Sequence, residues 1–223
     1  MPPGDAPVPL AVILHGSEDY SGRLYYPEQH RLPAQGIAVF VYDKRGAGDS
    51  GGEYTQDFYL LAADAAAALD EARRLAGRRA VRVGFVGGSQ AGWIAPLAAT
   101  QAPVDVLVGY GMAEGPLAED AGEVRQSLID RGYGAALAKA KEITDATGSV
   151  IASDYREGFD SLSAAKATYR DALWYCEIQG EFTEDFLKYP NWVIRLVGPL
   201  HDQGTSWDYD PMPTLRQVSA PQL

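Results

Sequence analysis

The chain has 223 residues, 46% of them hydrophobic and 22% charged, and 19 Lys and Arg against 30 Asp and Glu give a net charge of −11. This is the composition of a globular chain long enough to bury a sizeable core, and it excludes a disordered segment. An acidic surface repels phosphate backbones, so nucleic acid is not an expected partner; no apolar run is long enough to span a bilayer, so neither is a membrane.

A single cysteine, Cys176, rules out an internal disulfide. Beside Trp174 and Tyr175 it reads as a small packed residue rather than a nucleophile. Met1-Pro2-Pro3-Gly4-Asp5 has no basic start and no apolar signal region, which makes cytoplasmic the expected location.

In chain order, Val8 to Leu14 is a short apolar run that stops at His15-Gly16-Ser17, the pattern of a buried strand entering a tight loop. Tyr20 to Gln35 predicts helix with turns at Pro27 and Pro33. A second strand, Ile37 to Tyr42, ends at the glycine-rich turn Asp43-Lys44-Arg45-Gly46-Ala47-Gly48-Asp49-Ser50-Gly51-Gly52. Phe58 to Leu75, rich in Ala and Leu, is the clearest helix. Val81 to Val86 is a third strand, Trp93 to Thr100 a helix that Pro96 is expected to distort, and Val104 to Tyr110 a fourth strand. Strands alternating with helices predict a mostly parallel sheet flanked by helices.

From Ala113 to about Tyr209 the text turns helical, charged and aromatic, with helices expected over Gly122–Arg131, Ala135–Ala146, Leu162–Tyr175 and Thr183–Lys188. We read a helical insertion lying over the sheet, ended by Asp210-Pro211-Met212-Pro213 and followed by a short helix at Thr214–Val218. The expected domains are therefore 1–112, 113–210 and 211–223. Trp174, Tyr175, Phe182, Phe186, Trp192, Trp207 and Tyr209 are expected mostly to form the insertion's own core, some of them offering apolar surface to a substrate.

The sharpest chemical signal is Gly87-Gly88-Ser89-Gln90-Ala91-Gly92, after a strand and before a helix. A serine at the apex of such a turn is a nucleophile elbow: the turn strains the serine backbone and demands small residues two before and two after it. Gly87 and Ala91 meet that demand. The turn aims the Gln90 amide at an oxyanion, helped by the helix N-terminus. The loop after the first strand supplies the partner amide, assigned to Ser17 with Glu18 as the alternative, and His15 is read as packing that loop rather than as a base. Gly46-Ala47-Gly48-Asp49-Ser50-Gly51 matches a dinucleotide fingerprint, but that function needs a helix opening inside the glycines, so no cofactor is expected, and no metal.

Taken with His15-Gly16-Ser17 and Gly88-Ser89-Gln90-Ala91-Gly92-Trp93-Ile94-Ala95-Pro96, the segment Tyr42-Asp43-Lys44-Arg45-Gly46-Ala47-Gly48-Asp49-Ser50 resembles the α/β-hydrolase superfamily, in its branch of dienelactone-hydrolase-like and serine-aminopeptidase-like esterases and lipases. The resemblance spans roughly Val8 to Tyr110 and implies an α/β-hydrolase core, with the strands in the spatial order second, first, third, fourth. It implies that Asp43 and Arg45 brace the floor of the site, as an ion pair or a loop clamp. It also implies a catalytic acid and then a histidine after Ser89.

The histidines are His15, His30 and His201, and only His201 follows Ser89. If Trp192 to Gly198 were a strand, His201 would be the base; the alternative places the acid and base beyond Leu223, with the core clipped at both ends, both flanks of the sheet open to pairing with a second copy, and this chain alone turning over substrate poorly. The expected function is hydrolysis of a small carboxylic ester through an acyl-enzyme on Ser89. The competing readings are a non-catalytic or fragmentary domain lacking its histidine, and a thioesterase or peptidase of the same fold.

Overall fold

A computed structural model describes residues 1–110, 114–180 and 182–223, and for Tyr110 and Phe182 the backbone only. Four strands, β1 (Val8–Ile13), β2 (Ala38–Val41), β3 (Ala80–Gly88) and β4 (Val106–Tyr110), form one parallel sheet in the order β2-β1-β3-β4, the order expected from the sequence. The central β1 is buried at five of its six positions, as a strand covered on both faces requires. Its register pairs Ile13 with Val41 on one side and with Val86 on the other. The carboxyl ends of β1, β2 and β3 are thereby level, and the loops that follow them leave from one edge of the sheet, where open α/β sheets place their ligands.

The region 20–35 holds two short helices, α1 (Gly22–Tyr25) and α2 (Glu28–Ala34), with the break at Pro27. Helix α3 (Phe58–Ala76) buries Phe58, Leu61, Ala62, Ala65, Leu69, Ala72 and Ala76, one stripe at helical spacing. Its first turn is capped by Asp57, whose carboxylate accepts from the amides of Tyr59 at 2.9 Å and Leu60 at 3.1 Å. Helix α4 (Ala91–Gln101) runs without interruption through Pro96, which sits one turn in. The proline forfeits a single bond to the Gly92 carbonyl rather than breaking a long ladder. Phe58 and Trp93 stack at 5.0 Å and join α3 to α4.

Two expectations about the end of the chain are corrected. The short helix expected at Thr214–Val218 starts three residues earlier: the second unit does stop at Tyr209, and Asp210-Pro211-Met212-Pro213 then opens α9 (Pro211–Leu215), with Asp210 accepting from the Met212 amide at 2.9 Å and a proline at the first position, where its missing N–H costs nothing. Nor are both flanks of the sheet open. The outer edge of β4 is paired by the last residues, with Leu107 donating to Pro221 O at 2.9 Å, Leu223 donating to Leu107 O at 3.0 Å and Gly109 donating to Leu223 O at 2.9 Å.

The chain divides into two compact units, Met1–Ala113 with Gly204–Ser206 and Asp210–Leu223, and Glu114–Gln203 with Trp207–Tyr209. The boundary expected between 112 and 113 lies outside the described residues. The second unit contains α5 (Pro116–Asp130), α6 (Leu137–Ala152), α7 (Phe159–Tyr169) and α8 (Asn191–His201), with 3-10 turns at Leu173–Tyr175 and Phe182–Lys188. Its core gathers Val124, Leu128, Ile143, Val150, Leu162 and Ile178 with Trp174 and Tyr175, and Phe186 and Trp207 pack against it. Trp192 is exposed, and the Phe182 side chain is outside the described residues. Cys176 is exposed rather than packed, because Trp174 and Tyr175 take the inward positions of that turn. No helix among the described residues is long and apolar enough to cross a membrane.

The second unit also buries two acids together. Glu184, with no exposed surface, accepts from Thr147 Oγ1 at 2.9 Å, and the single Thr183 hydroxyl proton is shared between Glu184 Oε2, 3.1 Å away, and the carboxylate of Asp120. Burial, then the neighbouring Asp120 charge, pushes the Glu184 carboxyl above its ordinary value. The folded protein therefore holds a proton the unfolded chain releases, and the stability this contributes is present in acid and lost as pH rises. Urea unfolding followed by tryptophan fluorescence, with Trp174, Trp192 and Trp207 in this unit, is expected to show stability declining between about pH 4.5 and about pH 8, by up to about 1.4 kcal/mol per unit. Glu184→Gln, permanently neutral, is expected to flatten that decline; an unchanged slope contradicts it.

Candidate active site

Strand β3 and helix α4 meet with almost no space between them. A Cβ built on Gly87 would stand 2.5 Å from the Ala91 Cβ and 3.2 Å from the Leu14 carbonyl oxygen. Only two residues, Ser89 and Gln90, lie between strand and helix. Ser89 absorbs the reversal with φ at 54°, a region that non-glycine residues enter at a cost of about 1–3 kcal/mol. The Gly92 amide closes the turn on the Ser89 carbonyl at 2.7 Å, and the Ser89 side chain is left exposed. Gln90 is buried and ties the turn to the neighbouring loop through Nε2, which donates to Gln56 Oε1 at 2.9 Å. No acid occupies the first turn of α4, so its positive end is uncompensated beside Ser89.

The loop after β1 is held from several directions. His15 is 3% exposed, and its Nε2 lies 2.8 Å from the Tyr42 carbonyl. A carbonyl only accepts, so the ring proton sits on Nε2. Burial holds the imidazole below its ordinary pKa, and Nδ1 is buried without a partner among the described residues. This is a packed, neutral histidine. The Gly16 amide donates to Tyr26 Oη at 2.8 Å and to Glu18 Oε1 at 3.3 Å. The Gly16 carbonyl accepts from Lys44 Nζ at 2.8 Å, and the Ser17 carbonyl accepts from Tyr54 Oη. Ser17 itself is exposed.

Asp43 and Arg45 do not pair with each other. Asp43, buried, accepts from Ser21 Oγ at 2.7 Å, Arg23 Nε at 3.1 Å and the Asp49 amide at 3.1 Å. Burial acts to raise its pKa, but these donors outweigh burial and hold the carboxyl below its ordinary value. Gly48 has no room for a side chain, because its Cβ would enter the Asp43 carboxylate. Arg45 makes a two-pronged bond with Asp64 of α3, both contacts at 2.6 Å. The loop 43–52 is thus fastened to α1 by one residue and to α3 by another. Residues 42–57 contain no helix, so the helix that a dinucleotide site needs inside Gly46–Gly51 is not there.

The strand that would have carried His201 is also not there. Residues 191–201 form α8, in which Ile194 and Gly198, four apart, face inward while Trp192, Leu196 and Leu200 are exposed. That period is helical, and His201 ends the helix as an exposed residue of the second unit. His30 is exposed on α2. Among the described residues no three metal-binding side chains gather. Sequence reasoning missed Lys44, Tyr26 and Tyr54; lysine in a polar loop reads as solvated, and its burial is visible only once β1 and β2 are paired.

Residues 5–117 match the family described as Serine aminopeptidase, S33. No curated protein matches the chain.

The elbow's strain and its lack of room make opposite predictions for two residues of the turn. Ser89→Gly is expected to raise unfolding stability by about 1 kcal/mol, since glycine enters positive φ freely. Gly87→Val is expected to lower it by about 1–3 kcal/mol through overpacking against Ala91 and Leu14. Urea midpoints measure both, and a destabilised Ser89→Gly contradicts the strained-turn account.

Proposed function

The chain belongs to the serine aminopeptidase, S33 family and is an α/β-hydrolase-type hydrolase; from that membership and the backbone of residue 89 we propose a serine hydrolase that cleaves a carboxylic ester through an acyl-enzyme on Ser89. The observation that carries the reading is the exposed hydroxyl at φ 54°, on a two-residue turn between β3 and the uncompensated N-terminus of α4. Ser89 Oγ bonds to the substrate carbonyl carbon, and the π electron pair moves onto oxygen. The hydroxyl proton goes to a base, a role that buried His15, with its Nε2 proton held on Tyr42 O, does not fill. As the oxyanion's electron pair re-forms the C=O bond, the C–O bond to the leaving group breaks and the proton is delivered to the departing alkoxide. Water then releases the acid from Ser89. The Gln90 and Ser17 amides are the proposed donors to the oxyanion, an interaction worth on the order of 10²–10³ in rate per donor.

Two observations support this placement. The β1 and β3 loops leave adjacent strands at level ends. Among the described residues neither the Ser17 nor the Gln90 amide has a hydrogen-bond acceptor. Asp43, Arg45 and His15 serve in this reading as braces. A small apolar ester is the proposed substrate class. The family's description names a peptidase, so a peptide bond is the second reading; the same nucleophile serves either.

A fluorophosphonate probe is expected to label Ser89 stoichiometrically, with Ser89→Ala unlabelled, read by mass spectrometry of the digested adduct. Label on another serine, or none, refutes the assignment. Hydrolysis of p-nitrophenyl esters against aminoacyl p-nitroanilides separates the two bond classes.

A further inference from the structure

Lys44 is among the largest fully buried side chains, at 2% exposure. Its ammonium is held by a carbonyl and an aromatic face: Nζ donates to Gly16 O at 2.8 Å and lies 4.7 Å from the centroid of the Tyr54 ring. Burying an ammonium is costly, and leucine or methionine would fill the same volume without that penalty. The charge is therefore to be explained by what it touches.

It touches one peptide unit. The Gly16 carbonyl and the Ser17 N–H belong to the same planar group, and in a trans peptide they point in opposite directions. A donor seated in the interior on Gly16 O turns the Ser17 N–H outward. The two backbone groups flanking that peptide are held as well: the Gly16 amide by Tyr26 and Glu18, the Ser17 carbonyl by Tyr54. The second amide of the site is fixed by the same device, since the carbonyl of the Ser89–Gln90 peptide accepts from the Gly92 amide at 2.7 Å. One peptide is pinned by a backbone donor, the other by a buried cation.

We propose that Lys44 is a positioning residue for the oxyanion site: its ammonium orients and polarises the Gly16–Ser17 peptide so that the Ser17 N–H meets the anion formed on the Ser89 adduct. The role rests on the acyl-transfer reading of Ser89. Burial lowers the Lys44 pKa to about 8, opposed by the nearby carboxylates Glu18 and Asp19; the other groups facing it are neutral His15 and the Tyr54 ring. Below about pH 8 the peptide is polarised by a full charge, and above it only by a neutral amine.

The test uses the whole chain and two readouts. The first is the rate at which a fluorophosphonate labels Ser89. Lys44→Met is expected to slow it roughly 10- to 100-fold while remaining folded by thermal melt, and Lys44→Arg, permanently charged, to recover much of the rate. The second needs no chemistry at Ser89: in ¹⁵N spectra the Ser17 amide is expected to shift with a midpoint near pH 8, and to lose that titration in Lys44→Met. Lys44→Met labelling at the wild-type rate, or a Ser17 amide blind to Lys44, overturns the role. A wild-type chain that never labels at Ser89, with the Ser17 titration intact, instead overturns the hydrolase reading and removes the catalytic purpose of the hold.

Discussion

The contact on which the first unit turns is the approach of Gly87 on β3 to Ala91 on α4. With no side chain on one side and a methyl on the other, strand and helix come together across a two-residue reversal. The backbone of residue 89 must then take a positive φ. Three properties follow from that one constraint. The hydroxyl is pushed outward, the amide of the following residue is freed from helical bonding, and the uncompensated start of α4 is brought to the same place. Because β3 lies next to β1 in register, the β1 loop leaves the sheet beside this turn. The proposed chemistry is a consequence of packing before it is a matter of residue identity.

Around that contact the loops hold one another more than the sheet holds them. Residues 43 to 45 are consecutive in the chain, and each serves a different neighbour. Asp43 gathers Ser21 and Arg23, Lys44 reaches the Gly16 carbonyl, and Arg45 grips Asp64. The acid and the two bases are not an ion-paired cluster. Their charges are used separately, two in charge-assisted bonds to side chains and one against a backbone carbonyl.

Much of this was legible in the sequence because the signals are local. Each strand was a run of β-formers closed by glycine, and the elbow was a six-residue word whose small residues declare the close approach. Sheet order followed from the resemblance those words carry. What was not legible depends on contacts remote along the chain. Lys44 is 28 residues from the carbonyl it holds, and nothing near it marks it as buried. Residues 221–223 contain too few side chains to announce a strand, yet they pair with β4 through backbone alone. The stretch at 192–198 is apolar enough to suggest a strand, and only the inward pair Ile194 and Gly198 discloses a helix. Cys176 failed for a related reason: a position beside two core aromatics says nothing about which way its own side chain faces in a 3-10 turn.

The bonds that fix the β1 loop come from Tyr26, Tyr42, Lys44 and Tyr54, which belong to segments before, within and after the β2 region. The Tyr26 bond is local, ten residues along the chain, but the contacts from Tyr42, Lys44 and Tyr54 span 27, 28 and 37 residues and need β2 beside β1. Three of the four anchors of that loop must therefore close a long span of chain before its final geometry is complete. A nascent or partly melted form would carry residue 89 without a finished receptor for the developing negative charge. Competence would then appear and vanish together with the global fold, and a chain caught midway would be inert rather than indiscriminate.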